Sequence, residues 1–440
     1  MNELDISRRL RAAAWLGQQT YSDRDVYEAL GYPKVLYFYD FLARYQRQDI
    51  AHRIVNAFPD ATWREAPRVY EDSLRENPAF NDAWHELSTK HNFQSYFNRV
   101  DRRAGIGQYG VLRLGINDGR DASEPVKATQ LGPDALLYLS VYDQGHAEIH
   151  DWDRDSKSPN FGRPLTYKLY LTTRNSDFTT IHDSEIVHRD RLIHVAEGLG
   201  EDDIYGTPRL EPIFNRLIDL ERVVGASSEM YWRGGFPGLN FKIQPEYADG
   251  LDEDSLKEFR EETDEYIHGL KRFMRTSGVD AEQLSQPVQS PNDFYNAILD
   301  MVAGATGIPK RMLSGSERGD LASSQDETQW AKRIEERRDA YAKGMILRPF
   351  IERLIQYGIL PKPNPTYRIE WPSIGSLGPQ DQGTLASKRA DALIKYAQTP
   401  GAQSLMDFED FLRSIMLLDE DTVKNIAANS DSMVDFDAEE

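Results

Sequence analysis

Apolar residues recur along this chain with two different periods, and the change of period marks out its parts. From Tyr45 to Phe58, the residues Ile50, Ile54, Val55 and Phe58 fall on one stripe. Spacings of four, one and three predict an amphipathic helix, which Pro59 then ends. A similar stripe predicts helix from Asn81 to Tyr96, with Phe93 and Tyr96 packing three apart. After Gly105 the period shortens. Gly110–Ile116, Ala135–Tyr142 and Leu165–Leu171 read as strands, and Ile186–Val195 reads as strand with an interruption. The pattern therefore predicts a β-rich block from Gly105 to about Val195 inside an otherwise helical chain, an α+β protein that is mainly helical.

Helix returns at Thr207-Pro208, a cap residue followed by proline at the first helical position. Leu210, Ile213, Phe214, Leu217, Leu220 and Val224 continue it to the run Arg233-Gly-Gly-Phe-Pro-Gly. A short extended stretch, Leu239–Ile243, precedes a polar helix over Asp252–Phe273, whose first fourteen residues hold eight acids and two bases. Ser290-Pro291-Asn-Asp293 opens another helix, which Gly307-Ile-Pro309 closes. A Gly- and Ser-rich loop is expected from Ser314 to Ser324. A long helix follows, with Trp330, Ile334, Tyr341 and Met345 on one face, and Pro349 is expected to kink or split it. Tyr367–Trp371 reads as strand, and about 384–398 and 407–428 as helices. The tail from Asn429 has five acids and no base, which predicts disorder.

Composition narrows the function. The balance of 52 basic against 72 acidic residues leaves −20, the wrong sign for a protein that coats DNA nonspecifically. No run approaches the roughly 18 apolar residues a membrane span needs. The charged start lacks the apolar core of an export signal, so export is not expected. The absence of cysteine removes disulfides, thiolate nucleophiles, iron–sulfur clusters and Cys-built zinc sites. Nine histidines remain for metal or proton chemistry.

Several motifs imitate known chemistry. Gly105-Ile-Gly107-Gln-Tyr-Gly110 has the spacing of a dinucleotide fingerprint, but helix precedes it and strand follows, which reverses the required order. His85-Glu86 is followed by His91, six residues on, so the two rings leave different helix faces. Asp151-Trp-Asp153-Arg-Asp155 resembles a calcium loop but has Ser156 at the turn glycine and Gly162 at the bidentate acid. His188-Arg-Asp190 lacks the remaining kinase elements. His182-Asp-Ser184 fits one half of a two-histidine phosphoesterase site, and no second His-x-Ser or His-x-Thr supplies the other half.

The order of parts in the second half resembles that of a bacteriophage portal protein, the ring at the unique capsid vertex through which DNA passes. The matching residues are the helix ending in Tyr231-Trp-Arg-Gly-Gly-Phe-Pro-Gly and a small polar insertion. Next come the Ser-Pro-Asn-Asp-Phe helix ending in Ala303-Gly-Ala-Thr-Gly-Ile-Pro-Lys-Arg-Met-Leu-Ser-Gly, the serine-rich Leu321-Ala-Ser-Ser-Gln, and the long helix. The Tyr45-Gln-Arg-Gln-Asp-Ile-Ala helix and the Ile186-Val-His-Arg-Asp-Arg-Leu-Ile-His strand also look like portal elements. The resemblance covers about residues 40–375.

By that resemblance, residues 1–205 form a wing containing the β-rich block. Residues 206–235 and 290–309 are stem helices, 236–289 a clip, and 310–325 a tunnel loop at the channel. Residues 326–379 are the long kinked wing helix with its following strand, 380–428 a helical crown, and 429–440 an acidic tail. The resemblance further implies a ring, expected to have twelve subunits, around double-stranded DNA. It implies terminase, a head–tail adaptor and capsid or scaffolding protein as partners, with no membrane, no cofactor and no active site. Assembly is expected in the host cytoplasm and residence in the virion. Another head–tail structural protein and the His182/Ser184 hydrolase are the alternatives.

Lys310, Arg311, Gly315, Glu317, Arg318 and Gly319 are the tunnel-loop candidates. The cations either brush passing phosphates or, for Lys310 and Arg311, complement a helix end. Asp252, Glu253, Asp254, Glu258, Glu261 and Glu262 are the clip candidates, read either as a solvated face or as a dock for basic adaptor segments. Repetition in a twelve-fold ring raises −20 per chain to about a few hundred negative charges before counterions. Such a bore would pass DNA without gripping it.

Overall fold

In the computed structural model the described residues are 25–71, 78–127, 130–174, 180–235, 238–243, 254, 257, 260–261, 279–284, 290–315, 320–374, 379–399, 401, 406–416, 423 and 426. The chain divides into two compact units, Met1–Pro372 and Ser373–Glu440.

The first unit begins with α1 (Val26–Ala29), α2 (Phe38–Arg47) and α3 (Asp49–Thr62). The predicted single helix from Tyr45 is thus two, broken where Gln48 turns extended and sends its Nε2 to Leu217 O at 3.1 Å. Pro59 does not end α3 but lies within it. Proline lacks the N–H that Val55 O would accept in a helix. Arg209 Nη1 supplies the missing donor at 2.8 Å, so the helix runs on to Thr62. The stripe expected over Asn81–Tyr96 is also two helices, α4 (Ala79–His91) and α5 (Phe93–Ile106). They are broken at Asn92, which is left-handed at φ 49°. Asparagine is among the few non-glycine residues that tolerate this conformation.

The β-rich block is present between Gly105 and Val195 as expected, with one further strand at Ala147–Trp152 and an earlier start to the strand at Thr180–His188 that the alternation did not show. Strand β2 (Gly110–Ile116) pairs antiparallel with β3 (Leu136–Asp143) and β7 (Leu192–Val195). A second sheet has the order β4 (Ala147–Trp152), β5 (Pro164–Arg174), β6 (Thr180–His188). The interruption foreseen between Ile186 and Val195 is a 3₁₀ turn at Arg189–Arg191. All seven residues of β2 are buried, because the strand serves two cores. Leu112, Leu114 and Ile116 face Phe93, Phe97, Phe350 and Leu354. On the other side, Val111 joins Tyr109, Ala147, Tyr167 and Leu169. At roughly 1.5–3 kcal/mol per fully buried large side chain, β2 alone anchors both layers.

After the block, the helix expected to begin at Thr207-Pro208 starts later. Thr207 Oγ1 donates to Gly198 O at 3.0 Å instead of capping, and a 3₁₀ turn at Glu211–Ile213 leads into α6 (Phe214–Gly235). The strand read at Leu239–Ile243 is β8 (Gly238–Ile243), and it pairs with a strand the pattern missed, β9 (Val279–Leu284). Helix α7 (Asn292–Thr306) matches its predicted start, with Ser290 Oγ accepting from Asn292 N at 3.4 Å, and it stops at Gly307 with φ 66°. The expected loop Ser314–Ser324 is shorter than predicted. Lys310–Ser314 is helix α8, and α9 already begins at Asp320 and runs to Arg337.

Pro349 is the second residue of the last of three segments into which the long helix divides. A ten-residue π-helical stretch, Arg338–Leu347, joins α9 to α10 (Arg348–Gln356). The buried positions Ile334, Arg338, Ala342, Ile346, Phe350 and Leu354 recur every four residues. An α-helix rotates such a series by about 40° per step off any fixed face. The wider π turn rotates it back and keeps the series on the core. Strand β10 (Tyr367–Glu370), as predicted, pairs with β1 (Arg68–Glu71), which sequence reading overlooked.

The second unit holds α11 (Pro379–Gln398) and α12 (Phe408–Ser414). Tyr396 stacks on Phe411 at 4.2 Å between centroids, beside Leu412, Met416 and Val423. The tail from Asn429 lies outside the described residues.

Candidate functional site

The described tunnel-loop candidates, Lys310, Arg311 and Gly315, lie in the corner between α7 and α9. Helix α7 ends because Gly307 is left-handed and donates its N–H to Ala303 O at 2.7 Å. Ile308, fully buried, then pins the chain, and Pro309 starts α8. Lys310 folds back along α7, its Nζ 2.7 Å from Asp300 Oδ1 and 3.3 Å from Asn296 O. Its charge is therefore partnered within the chain, by groups in the body of α7 and not by the last carbonyls of that helix. Arg311 lies half-buried in α8. Gly315 ends α8 at φ 69°, donating to Arg311 O at 2.8 Å, and an added Cβ there would meet nothing within 4 Å. Its glycine is set by backbone conformation rather than by crowding. Glu317, Arg318 and Gly319 lie outside the described residues.

The corner is fastened from beneath by residues that the sequence reading did not single out. Arg53 of α3 donates its Nε to Met312 O at 2.9 Å. Arg333 of α9 lies across Gly307, where a Cβ would stand 1.5 Å from its Nη1, and over the Phe58 ring at 5.5 Å. Trp330 packs on Phe58 from the side, 5.0 Å between centroids. A cation thus sits at the carbonyl end of α7, where the helix dipole favours it.

Behind this corner a buried ion network ties five segments together. Asp101 of α5, with no exposed surface, accepts from Arg209 Nη2 at 2.7 Å, from Arg337 Nη2 at 2.6 Å and Nη1 at 2.9 Å, and from Trp63 Nε1 at 2.7 Å. Glu197, after β7, accepts from Arg337 Nε at 2.7 Å and Arg209 Nε at 2.9 Å. Arg337 Nη1 also donates to Thr62 Oγ1 at 2.7 Å, and its guanidinium stacks on Tyr341 at 4.4 Å. Two cations and two anions cancel, which is the condition for charge at such depth. Burial raises the Glu197 carboxyl, but Arg209 and Arg337 together outweigh it and hold it near about 2.

This network explains the glycine fingerprint. A Cβ at Gly105 would stand 2.3 Å from Arg209 Nη1, and one at Gly110 would stand 2.8 Å from Ala104 N. These glycines clear space for a guanidinium and a helix backbone, as a helix-to-strand turn should. The other imitations are equally structural. His85 is exposed, while His91 stacks on Phe93. Asp153 and Asp155 spend their carboxylates on their own turn, accepting from Ser158 Oγ at 2.6 Å and Lys157 N at 2.9 Å. His188 Nδ1 accepts from Asp190 N at 3.2 Å to close the 3₁₀ turn. Ser184 stands exposed on β6, and the side chain of His182 lies outside the described residues. Among the described residues no group of three His, Asp or Glu is placed to hold a metal, and no helix is long and apolar enough to cross a membrane. Of the clip candidates, Asp254 and Glu261 are exposed on a helical backbone, and Asp252, Glu253, Glu258 and Glu262 lie outside the described residues.

Comparison with known proteins decides the family. Residues 39–395, most of the chain, match the family model described as phage portal protein. The chain belongs to the phage portal protein family. No curated protein shows significant similarity to it. Among solved structures, it is similar to a chain from the neck of an empty GTA particle computed with C6 symmetry, at 13% identity and TM-score 0.52, covering 89% of this chain and 95% of that one. It is likewise similar to a chain from the neck of a native GTA particle computed with C12 symmetry, at 13% identity and TM-score 0.50, covering 83% and 92%. At such identity the likeness is one of fold, and it extends over both the helical and the β-rich parts of this portal-family chain. The family match spans the α7–α8–α9 corner and the buried network alike.

Proposed function

We propose that copies of this chain close into a ring at a capsid vertex, forming the channel through which double-stranded DNA is packaged and ejected. The observation that carries the reading is the portal-family match over residues 39–395, supported by a fold shared with chains of particle necks computed with C6 and C12 symmetry. Twelve is the subunit number that the C12 neck favours, and a heterologous interface repeated by a fixed rotation closes such a ring. The chain acts as a conduit and catalyses no step itself. Terminase, a head–tail adaptor and capsid or scaffolding protein are its partners, and the virion is its location.

Within that reading, residues 1–205 and the long helix form the wing, α6 and α7 the stem, and 236–289 the clip with its acidic segment from Asp252 to Glu262. Residues 310–325 are the tunnel loop of this reading. The crown falls in the compact unit that starts at Ser373. The net charge of −20 and the Lys310–Asp300 pair support a bore that does not grip phosphate. Negative-stain imaging of the purified chain tests the proposal. Rings with a central opening are expected; a chain that remains single at high concentration refutes it.

A further inference from the structure

Helices α6 and α7 pack on each other, and each is apolar over more of its surface than that contact uses. The sides turned together carry Val223, Ser227 and Met230 of α6, half-buried, and Ile298, Leu299 and Val302 of α7, buried. A second face of α6 carries Val224, Ser228, Tyr231 and Trp232, and all four are exposed. A second face of α7 carries Phe294, Ala297, Met301 and Ala305, exposed as well. Trp232 is 74% exposed, Phe294 68% and Tyr231 52%. The third side of α7 is an ordinary wet one, with Asn292, Asp293, Asn296 and Asp300.

The placing of the two apolar faces is specific. At about 100° per residue, each lies about 110° round its helix from the side that meets the other. That turn runs forward along α6 and backward along α7. Helix α7 returns along α6 and reaches the 3₁₀ turn that precedes it, so the pair is antiparallel. Opposite senses along antiparallel helices put the two faces on opposite sides of the pair. Their spacing also agrees. Tyr231 and Val224 are seven residues apart, as are Phe294 and Met301, and Ser228 and Ala297 each stand three residues from the aromatic. Both faces have their aromatic end where α6 stops and α7 starts.

At about 150–250 Å² for a whole aromatic side chain, the three exposures leave about 300–500 Å² of aromatic surface open on each copy. That alone equals the largest apolar patch of a typical monomer, and it is about a quarter of what a standard interface buries in total. Different faces on opposite sides of one element suit a heterologous contact, in which each copy turns one face to each neighbour. A closed ring shifts no copy along its axis, so faces level within one copy are level across the contact.

We propose that the α6 face of one copy packs against the α7 face of the next, joining their aromatic ends and setting Val224 level with the neighbour's Met301. The inference rests on the ring reading above and specifies which surfaces close the ring.

The test uses the full-length chain, which has no cysteine of its own. The double variant Ser228→Cys/Ala297→Cys, treated with diamide, should give a ladder of disulfide-linked multimers on a non-reducing gel. Each single variant should stay monomeric on that gel, because each contact then holds one thiol. Separately, Trp232→Arg and Phe294→Arg should each weaken assembly by about thirtyfold or more in mass photometry, the loss of an interface hot spot. Ala226→Arg, on the other side of α6, should leave assembly unchanged. Both arginine variants alter exposed positions, so their monomers should melt as wild type does. Mixed together, they retain one intact face each and should form dimers but no rings. Wild-type rings with no ladder and no effect of either arginine variant overturn the inference while the ring reading stands. Strong dimers of either single cysteine variant also overturn it, since they show like faces meeting. A wild-type chain that stays single removes both.

Discussion

Replacing Gly307 by alanine tests how the α7–α8 corner is built. The residue is left-handed at φ 66°, a conformation that costs a residue with a Cβ about 1–2 kcal/mol. The new methyl would also stand 1.5 Å from Arg333 Nη1, far inside contact distance, so the guanidinium must leave. It then gives up the Phe58 face, worth about 0.5–1 kcal/mol, and its place at the end of α7, worth about 0.3–1 kcal/mol. The sum is a destabilisation of about 2–4 kcal/mol. A double-mutant cycle separates the contributions. In an Arg333→Ala background nothing remains for the methyl to displace, and Gly307→Ala should then cost only the backbone strain, about 1–2 kcal/mol. The readout is urea unfolding together with hydrogen exchange across residues 296–313. A loss under about 1 kcal/mol, or the same loss in both backgrounds, refutes the account of Arg333 lying against this turn.

Removing Asp101 as Asp101→Ala should cost about 3–5 kcal/mol in urea unfolding, because Arg209 and Arg337 then share one carboxylate in the interior. Gly105→Ala should reproduce part of that loss, since its methyl would push Arg209 out of the same network; a wild-type melting curve would contradict it. Glu197 has a folded pKa near about 2, below its ordinary 4.5, so the stability it contributes is present above pH 4.5 and is lost as pH falls toward 2. Urea midpoints measured down through that window should fall more steeply in wild type than in Glu197→Gln. At Gly315, asparagine should be accepted within about 1 kcal/mol, since it tolerates the left-handed conformation, whereas proline, with φ fixed near −65°, should unwind the end of α8. Circular dichroism and exchange at 310–315 distinguish the two.

Much of this architecture is legible in the pattern of side chains, and the parts that are not share a cause. Strands β2, β3, β5 and β7 were readable because they bury at least one face and carry β-branched and aromatic residues, whereas β4, with half its residues exposed, was not read. The stops at Gly307 and before β2 were readable because glycine and proline act locally. Helix α3 ran past Pro59 because its rescuer, Arg209, lies 150 positions later in the chain. The start of α6 moved because Thr207 found Gly198 O in preference to a helix N–H. Strands β1 and β9 were missed because Arg68-Val-Tyr-Glu and Val-Asp-Ala-Glu-Gln-Leu are made strands by their distant partners. For the corner itself, Lys310, Arg311 and Gly315 were legible from their place after Gly-Ile-Pro. Arg53, Phe58 and Arg333 were not, since contacts between α3 and α9 leave no local trace. One signal was available and unread: buried positions every four residues from Ile334 to Leu354, a spacing that an unbroken α-helix does not keep on one side.

That same stretch holds more residues per turn than the helices on either side of it. Losing one residue elsewhere in the long helix swings everything beyond it by about 100°, carrying Phe350 and Leu354 off the core. Within Arg338–Leu347 a deletion can be absorbed by tightening a wide turn to an ordinary one, with the two ends left nearly in phase. The segment is therefore slack in an otherwise rigid rod, and it is where length can change while both ends keep their grip.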